Sequence, residues 1–164
     1  MAYQYHRSAA VPGAERGVPW ALPAADEAEA SYAWEQAVAQ LRIAEELMPD
    51  ADARRARLLA RIGRALPLVT APEQGLEEML EAAHALSLTE GDPTAADYLA
   101  DVSVALSMAG RMGDGQRVAA EGMRYVGDRR DAVWLSLVAN ALIHRDINAP
   151  DYPGIPLEHP EHRE

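Results

Sequence analysis

At 164 residues the chain has the length of one ordinary domain, with room for a core that folds alone. It contains no Cys, Phe or Lys: all 15 basic residues are Arg, set against 26 Asp and Glu, for a net charge of −11. Those absences exclude disulfides, thiolate nucleophiles, Cys-ligated zinc, iron–sulfur clusters, Schiff bases and the phosphate-gripping lysine of a P-loop.

Ala at 33 positions, with Arg, Gly and Pro in place of Lys and Phe, is what a GC-rich genome encodes, so part of this composition reflects codon usage. The acidic balance opposes duplex nucleic acid, which needs a concentrated excess of cationic side chains. No apolar run reaches bilayer length, and MAYQYHRSAA lacks the charged start and apolar stretch of a signal peptide. A cytoplasmic location is therefore expected, with no membrane and no directly bound nucleic acid.

The Ala content and the scattering of β-branched residues predict an all-α chain. Apolar residues recur at spacings of three and four, giving candidate helices over 2–10, 19–31, 33–48, 53–69, 73–88, 94–109, 113–126 and 130–144. Pro93 marks a helix start, Gly110 and Gly127 can close helices in the left-handed conformation, and Asp128 can cap the next one. Pro67 sits inside a periodic segment and should kink or shorten it. Residues 145–164, with four prolines, read as an extended strap or disordered tail.

The helices come in pairs joined by short segments, which calls for a repeat search. A tetratricopeptide unit of about 34 residues places small residues at its eighth, twentieth and twenty-seventh positions, where two helices cross closely. A unit starting at Val18 has Ala25, Ala37 and Ala44 there, with Trp34 and Leu41 as larger residues and Pro49 at its end. One starting at Ala56 has Gly63, Gly75 and Ala82, with Leu59, Ile62, Leu66 and Met79 between them. One starting at Ala96 has Ser103, Gly115 and Gly122, with Leu99, Val102, Leu106 and Met112. The starts lie 38 and 40 residues apart, so short insertions separate the units. The expected architecture is a tetratricopeptide-like α-solenoid of about three and a half helix pairs over 18–144. A partial leading helix and linker at 1–17 precede it, and the Pro-rich tail follows. An Ala-rich helical bundle is the alternative.

Four stretches carry a family resemblance: ASYAWEQAVAQLRIAEELMP at 30–49, LLARIGRAL at 58–66, YVGDRRDAVW at 125–134 and DYPGIPL at 151–157. They resemble the helical-repeat region of large actinobacterial signalling ATPases. In those regulators an AAA-like module, in some cases with a nucleotide cyclase or a LuxR-type helix-turn-helix, is joined to tetratricopeptide-like repeats. The resemblance implies a module that senses an effector or partner. The family's nucleotide-binding motifs do not carry over, because the chain lacks the Gly-rich lysine motif. It also implies that AYQYHRSAAVPG is the end of a helix begun in a preceding domain; a small natural protein with a degenerate first helix is the other reading.

Arg54, Arg57, Arg61 and Arg64, spaced by three, four and three, share one face of a helix. They suit clamping of carboxylates or phosphates. The plainer reading is a solvated face paired with Glu77, Glu78 and Glu81, or with a neighbouring domain. Asp26, Glu27, Glu29, Glu35, Glu45, Glu46, Asp50 and Asp52 form an acidic run with only Arg42 among them, either a wet surface or a docking face for a basic partner. His159 and His162, with Glu158 and Glu161, bring metal-binding types together, but Pro160 interrupts them; the remaining histidines are His6, His84 and His144. Ser103 and Ser107 lie one turn apart near Asp101 without a His at helical spacing, and Ser103 reads as a packing residue. Trp20, Trp34, Trp134 and Tyr125 read as packing residues, whereas Tyr98 fits either the core or the groove.

The expected function is binding, without catalysis, cofactor or metal. A protein or peptide partner, or a neighbouring domain of the same polypeptide, would dock on the concave face through Arg57, Arg61, Arg64, Tyr98 and Asp101. A homo-oligomeric scaffold, as a homodimer, and a hydrolase built from convergent carboxylates are the alternatives.

Overall fold

A computed structural model describes residues 13–69 and 75–142. Among them the chain is all-α: helices α1 (Val18–Ala30), α2 (Trp34–Leu47), α3 (Arg55–Ala65), α4 (Leu76–Glu90), α5 (Asp92–Met108), α6 (Met112–Gly122) and α7 (Ala132–Leu142), with 3-10 turns at Ala14–Gly17 and Leu66–Leu68 and no strand. The expected helix at 2–10 and the tail at 145–164 lie outside the described residues.

Local chemistry sets most boundaries. Pro67 ends α3 at Ala65 and tightens the next turn to 3-10, because its nitrogen has no proton for the i−4 carbonyl. Pro93 stands in the first turn of α5, where a missing N–H costs nothing. Gly110 takes φ 80, and the N–H of Arg111 closes α5 on the carbonyl of Leu106 at 2.8 Å. Tyr32 occupies the same left-handed position after α1 at φ 59, where the N–H of Ala33 bonds the carbonyl of Ala28 at 2.8 Å. The cap of α7 is Asp131 rather than Asp128: its Oδ1 accepts from the N–H groups of Val133 (3.1 Å) and Trp134 (3.2 Å).

Each helix packs against the next, and contacts also join α3 to α5, α5 to α7 and α4 to α6. This pattern is compatible with a helical repeat. The small residues of the three frames sit in its interior: Ala25, Ala37, Ala44, Ala82 and Ser103 are fully buried. The tightest crossing involves Gly63 of α3, where an added Cβ would lie 1.9 Å from Oη of Tyr98 on α5. At Gly115 of α6 it would stand 2.9 Å from the carbonyl oxygen of Ser103, and at Gly122, 2.5 Å from Leu137 on α7. Around these crossings Leu41, Ile62, Met79, Leu99, Val102 and Leu106 fill the core. A smaller cluster of Ala100, Ala119, Val126 and Leu137 seats α7. Trp20 departs from expectation: it is 53% exposed, because Val18, Ala21 and Ala25 take the inward face of α1. Trp34, Trp134 and Tyr125 are half-buried.

The Gly63 crossing yields a direct expectation. Gly63→Ala should destabilise the fold by about 2 kcal/mol, the typical cost of overpacking. Tyr98→Phe should recover part of that loss, since it removes the nearest atom; urea denaturation of the two single variants and the double variant measures the coupling.

Candidate functional site

The arginine face of α3 gathers ion pairs from several helices, and its partners are not those the sequence suggested. Arg61 reaches α1, where Nε and Nη2 each bond Glu29 at 2.9 Å and Nη2 also meets Asp26. Arg57 grips Glu90 at the end of α4 through Nε at 2.6 Å and Nη2 at 3.1 Å. Arg64 bonds Asp101 of α5 at 3.3 Å. Arg54 folds back on Asp52, with Nε–Oδ1 at 3.0 Å and Nη2–Oδ2 at 2.7 Å. The expected pairing with Glu77, Glu78 and Glu81 is corrected. The α3 face turns toward α1, α5 and the far end of α4, and Glu78 in the first turn of α4 instead meets Arg42 of α2. The acidic run is thus partly consumed by the same stripe, through Asp26, Glu29 and Asp52.

Of the five residues expected to line a groove, Arg57, Arg61, Arg64 and Asp101 lie together on this ion-paired surface. Tyr98 does not. It is fully buried, its hydroxyl tucked over Gly63 without a hydrogen-bond partner, and the Arg64 guanidinium covers its ring at 5.2 Å. Burial pushes the phenol pKa up despite the opposing pull of Arg64.

Between α1 and α3 the stack opens. The pairs α3–α5 and α5–α7 approach within 8 Å between Cα atoms, but α1 and α3 do not. The resulting cleft, of about 150 Å³, is lined by Leu22, Met48 and Leu58 with Arg54, Arg57 and Arg61 at its edges. Leu22, Asp26 and Glu29 share one face of α1 at helical spacing, opposite Arg54, Arg57, Leu58 and Arg61 on α3. The Arg61 ion pairs tie that face of α1 to α3 beyond Leu22. The apolar members of the cleft were missed in the sequence; the recurrence of Leu58 beside Arg57 and Arg61 could have shown that the stripe borders apolar surface. A larger, more polar depression of about 480 Å³ lies between α1 and α2, lined by residues including Glu27, Ser31, Gln36 and Gln40.

The serines of α5 serve packing. Ser103 Oγ donates to the carbonyl of Ala100 at 2.9 Å, and Ser107 Oγ donates to Oδ1 of the buried Asn140 on α7 at 3.1 Å. His84 is exposed, and among the described residues no three His, Asp or Glu converge as a metal site. His6, His144, His159 and His162 lie outside the described residues. No described helix is long and apolar enough to cross a membrane. No protein-family model, curated protein or solved structure matches the chain.

The ion pairs make stability depend on pH at the acidic end. The side chain and backbone N–H of Arg54 hold the Asp52 carboxyl down at about 2, against an ordinary 3.8, and Arg57 lowers Glu90. Carboxylates with lowered values contribute stability above their ordinary range and lose it as pH falls through the folded value. Asp52→Asn should therefore lose less thermal stability than the parent chain between pH 3.8, the ordinary value for Asp, and pH about 2. Calorimetric scans across that window check it.

Proposed function

We propose that this chain is a tetratricopeptide-like α-solenoid module that binds a protein or peptide partner and performs no chemistry of its own. The single observation that carries this reading is the surface made by α1, α3 and α5, where an apolar cleft adjoins guanidinium and carboxylate groups from four helices. The three helical hairpins, with their small residues buried at the crossings, support the solenoid. Exposed ion pairs contribute only about 0–1 kcal/mol each, so a ligand can exchange with them at small cost. Arg57, Arg61, Arg64 and Asp101 serve as contact residues. Following the resemblance, the module belongs to a multidomain ATPase regulator of transcription or cyclic-nucleotide signalling, where partner binding is transmitted to neighbouring domains.

A second reading, a homo-oligomeric scaffold, is favoured by α7. None of its eleven residues is charged, and Leu135 is 58% exposed. Under that reading the purified chain sediments as a dimer, and Leu135→Glu returns it to monomer.

The combined variant Arg57→Glu, Arg61→Glu, Arg64→Glu separates the two. Quantitative affinity purification from the source cells should recover the parent chain's partners in amounts reduced about tenfold for the variant, the scale expected from loss of charge-assisted hydrogen bonds. Unchanged recovery would remove the α1–α3–α5 surface as the docking face.

A further inference from the structure

We infer that the cleft between α1 and α3 receives an acidic peptide segment through one aliphatic side chain; this rests on the interaction-module reading and specifies its ligand. The first observation is a local rule broken at the start of α3. The N-terminal end of a helix carries partial positive charge and is stabilised by acidic side chains. Here the N-cap is Arg54, Arg55 and Arg57 follow, no acidic residue stands in the first turn, and Arg54 supplies no side-chain cap; Asp52, two residues before it, accepts from the Arg54 N–H at 2.9 Å. Arg55 has a structural reason, because its Nη1 bonds the carbonyls of Glu45 and Met48 and ties off the end of α2. Arg54 and Arg57 have none of that kind. Their side chains are 65% and 75% exposed, and each meets a single carboxylate.

The second observation is how those carboxylates are placed. Asp52 and Glu90 engage Nε and Nη2 of Arg54 and Arg57. Among the described residues, neither Nη1 has a hydrogen-bond partner. A guanidinium has five N–H donors, so a carboxylate on one edge orients the group and leaves the other edge available. Both arginines are held this way at the rim of the cleft. The acidic groups on α1, Asp26 and Glu29, are already committed to Arg61.

The third observation is the cleft itself. At about 150 Å³, floored by Leu22, Met48 and Leu58, it is smaller than the roughly 300 Å³ at which small-molecule pockets begin. It fits one aliphatic side chain of a longer ligand. The apolar floor and the guanidinium edges of Arg54 and Arg57 left open at the rim together specify a hydrophobic residue flanked by Asp or Glu. Arg61 ties α1 to α3 beside it.

The test uses fluorescence anisotropy on the full chain with three labelled synthetic peptides. The first is Gly-Glu-Asp-Leu-Asp-Glu-Gly, the second has Ser in place of Leu, and the third replaces the acidic residues by Gln and Asn. The acidic leucine peptide should bind saturably, and each of the others should bind about tenfold more weakly, the scale of one buried aliphatic group or one charged hydrogen bond. The double variant Arg54→Gln, Arg57→Gln should weaken the first peptide by about tenfold or more while its thermal midpoint stays within about 4 °C of the parent. Arg124→Gln, which removes an exposed guanidinium paired with Glu121, serves as the control and should not change binding. Absence of saturable binding up to about 1 mM overturns the inference. So does equal binding of the uncharged peptide, or an unaffected double variant. If the three-site glutamate variant loses its cellular partners while these peptides fail to bind, the interaction-module reading stands and the cleft assignment falls.

Discussion

Everything in this structure depends on how closely α5 crosses its neighbours. It touches α3, α4, α6 and α7, and at its crossings a glycine or alanine allows the approach. Such crossings bury little area per residue, so a few large side chains must fill the remaining space, and Tyr98, Leu99, Val102 and Leu106 project from α5 to do so. The position of Tyr98 is the clearest case. Its ring is accommodated because Gly63 has no side chain, and Arg64 then closes over the ring from outside.

The helical class and the break at Pro67 were legible in the sequence because they follow from local chemistry. The small residues at the helix crossings were legible because Ala, Gly and Ser recur at matching positions of the three frames, and most of them are buried. The role of Tyr98 was not legible from its own helix. Choosing core over groove required knowing that Gly63, 35 residues earlier in the numbering, lies opposite. Likewise the arginine stripe was visible, but not its partners. The acidic residues that follow the stripe in sequence, Glu77 to Glu81, lie in the first turns of α4, whereas the carboxylates that meet it are Asp52 just before α3, Glu29 of α1, Glu90 at the far end of α4 and Asp101 of α5. The cleft lay furthest from reach, because it arises where two helices fail to approach, and no residue pattern states a distance.

The ion pairs order this surface more than they stabilise it. Each pair keeps at least one partner in contact with water and contributes little. Held in fixed directions by Asp52 and Glu90, however, the α3 guanidiniums lose less side-chain freedom when a further anionic group arrives. A helix start occupied by arginines is poorly suited to helix stability, and local rules of this kind are most often broken where a surface is used for recognition.

The gap between α1 and α3 also bears on how the molecule comes apart. The first hairpin is joined to the rest through packing of α2 on α3 and through part-buried charge pairs, whereas α5 is clasped from several sides. Amide protons in α1 therefore belong to a separately opening unit that exchanges with solvent before those of α5. Few packing contacts cross the place where the cleft lies, which makes it the natural joint between the first hairpin and the rest.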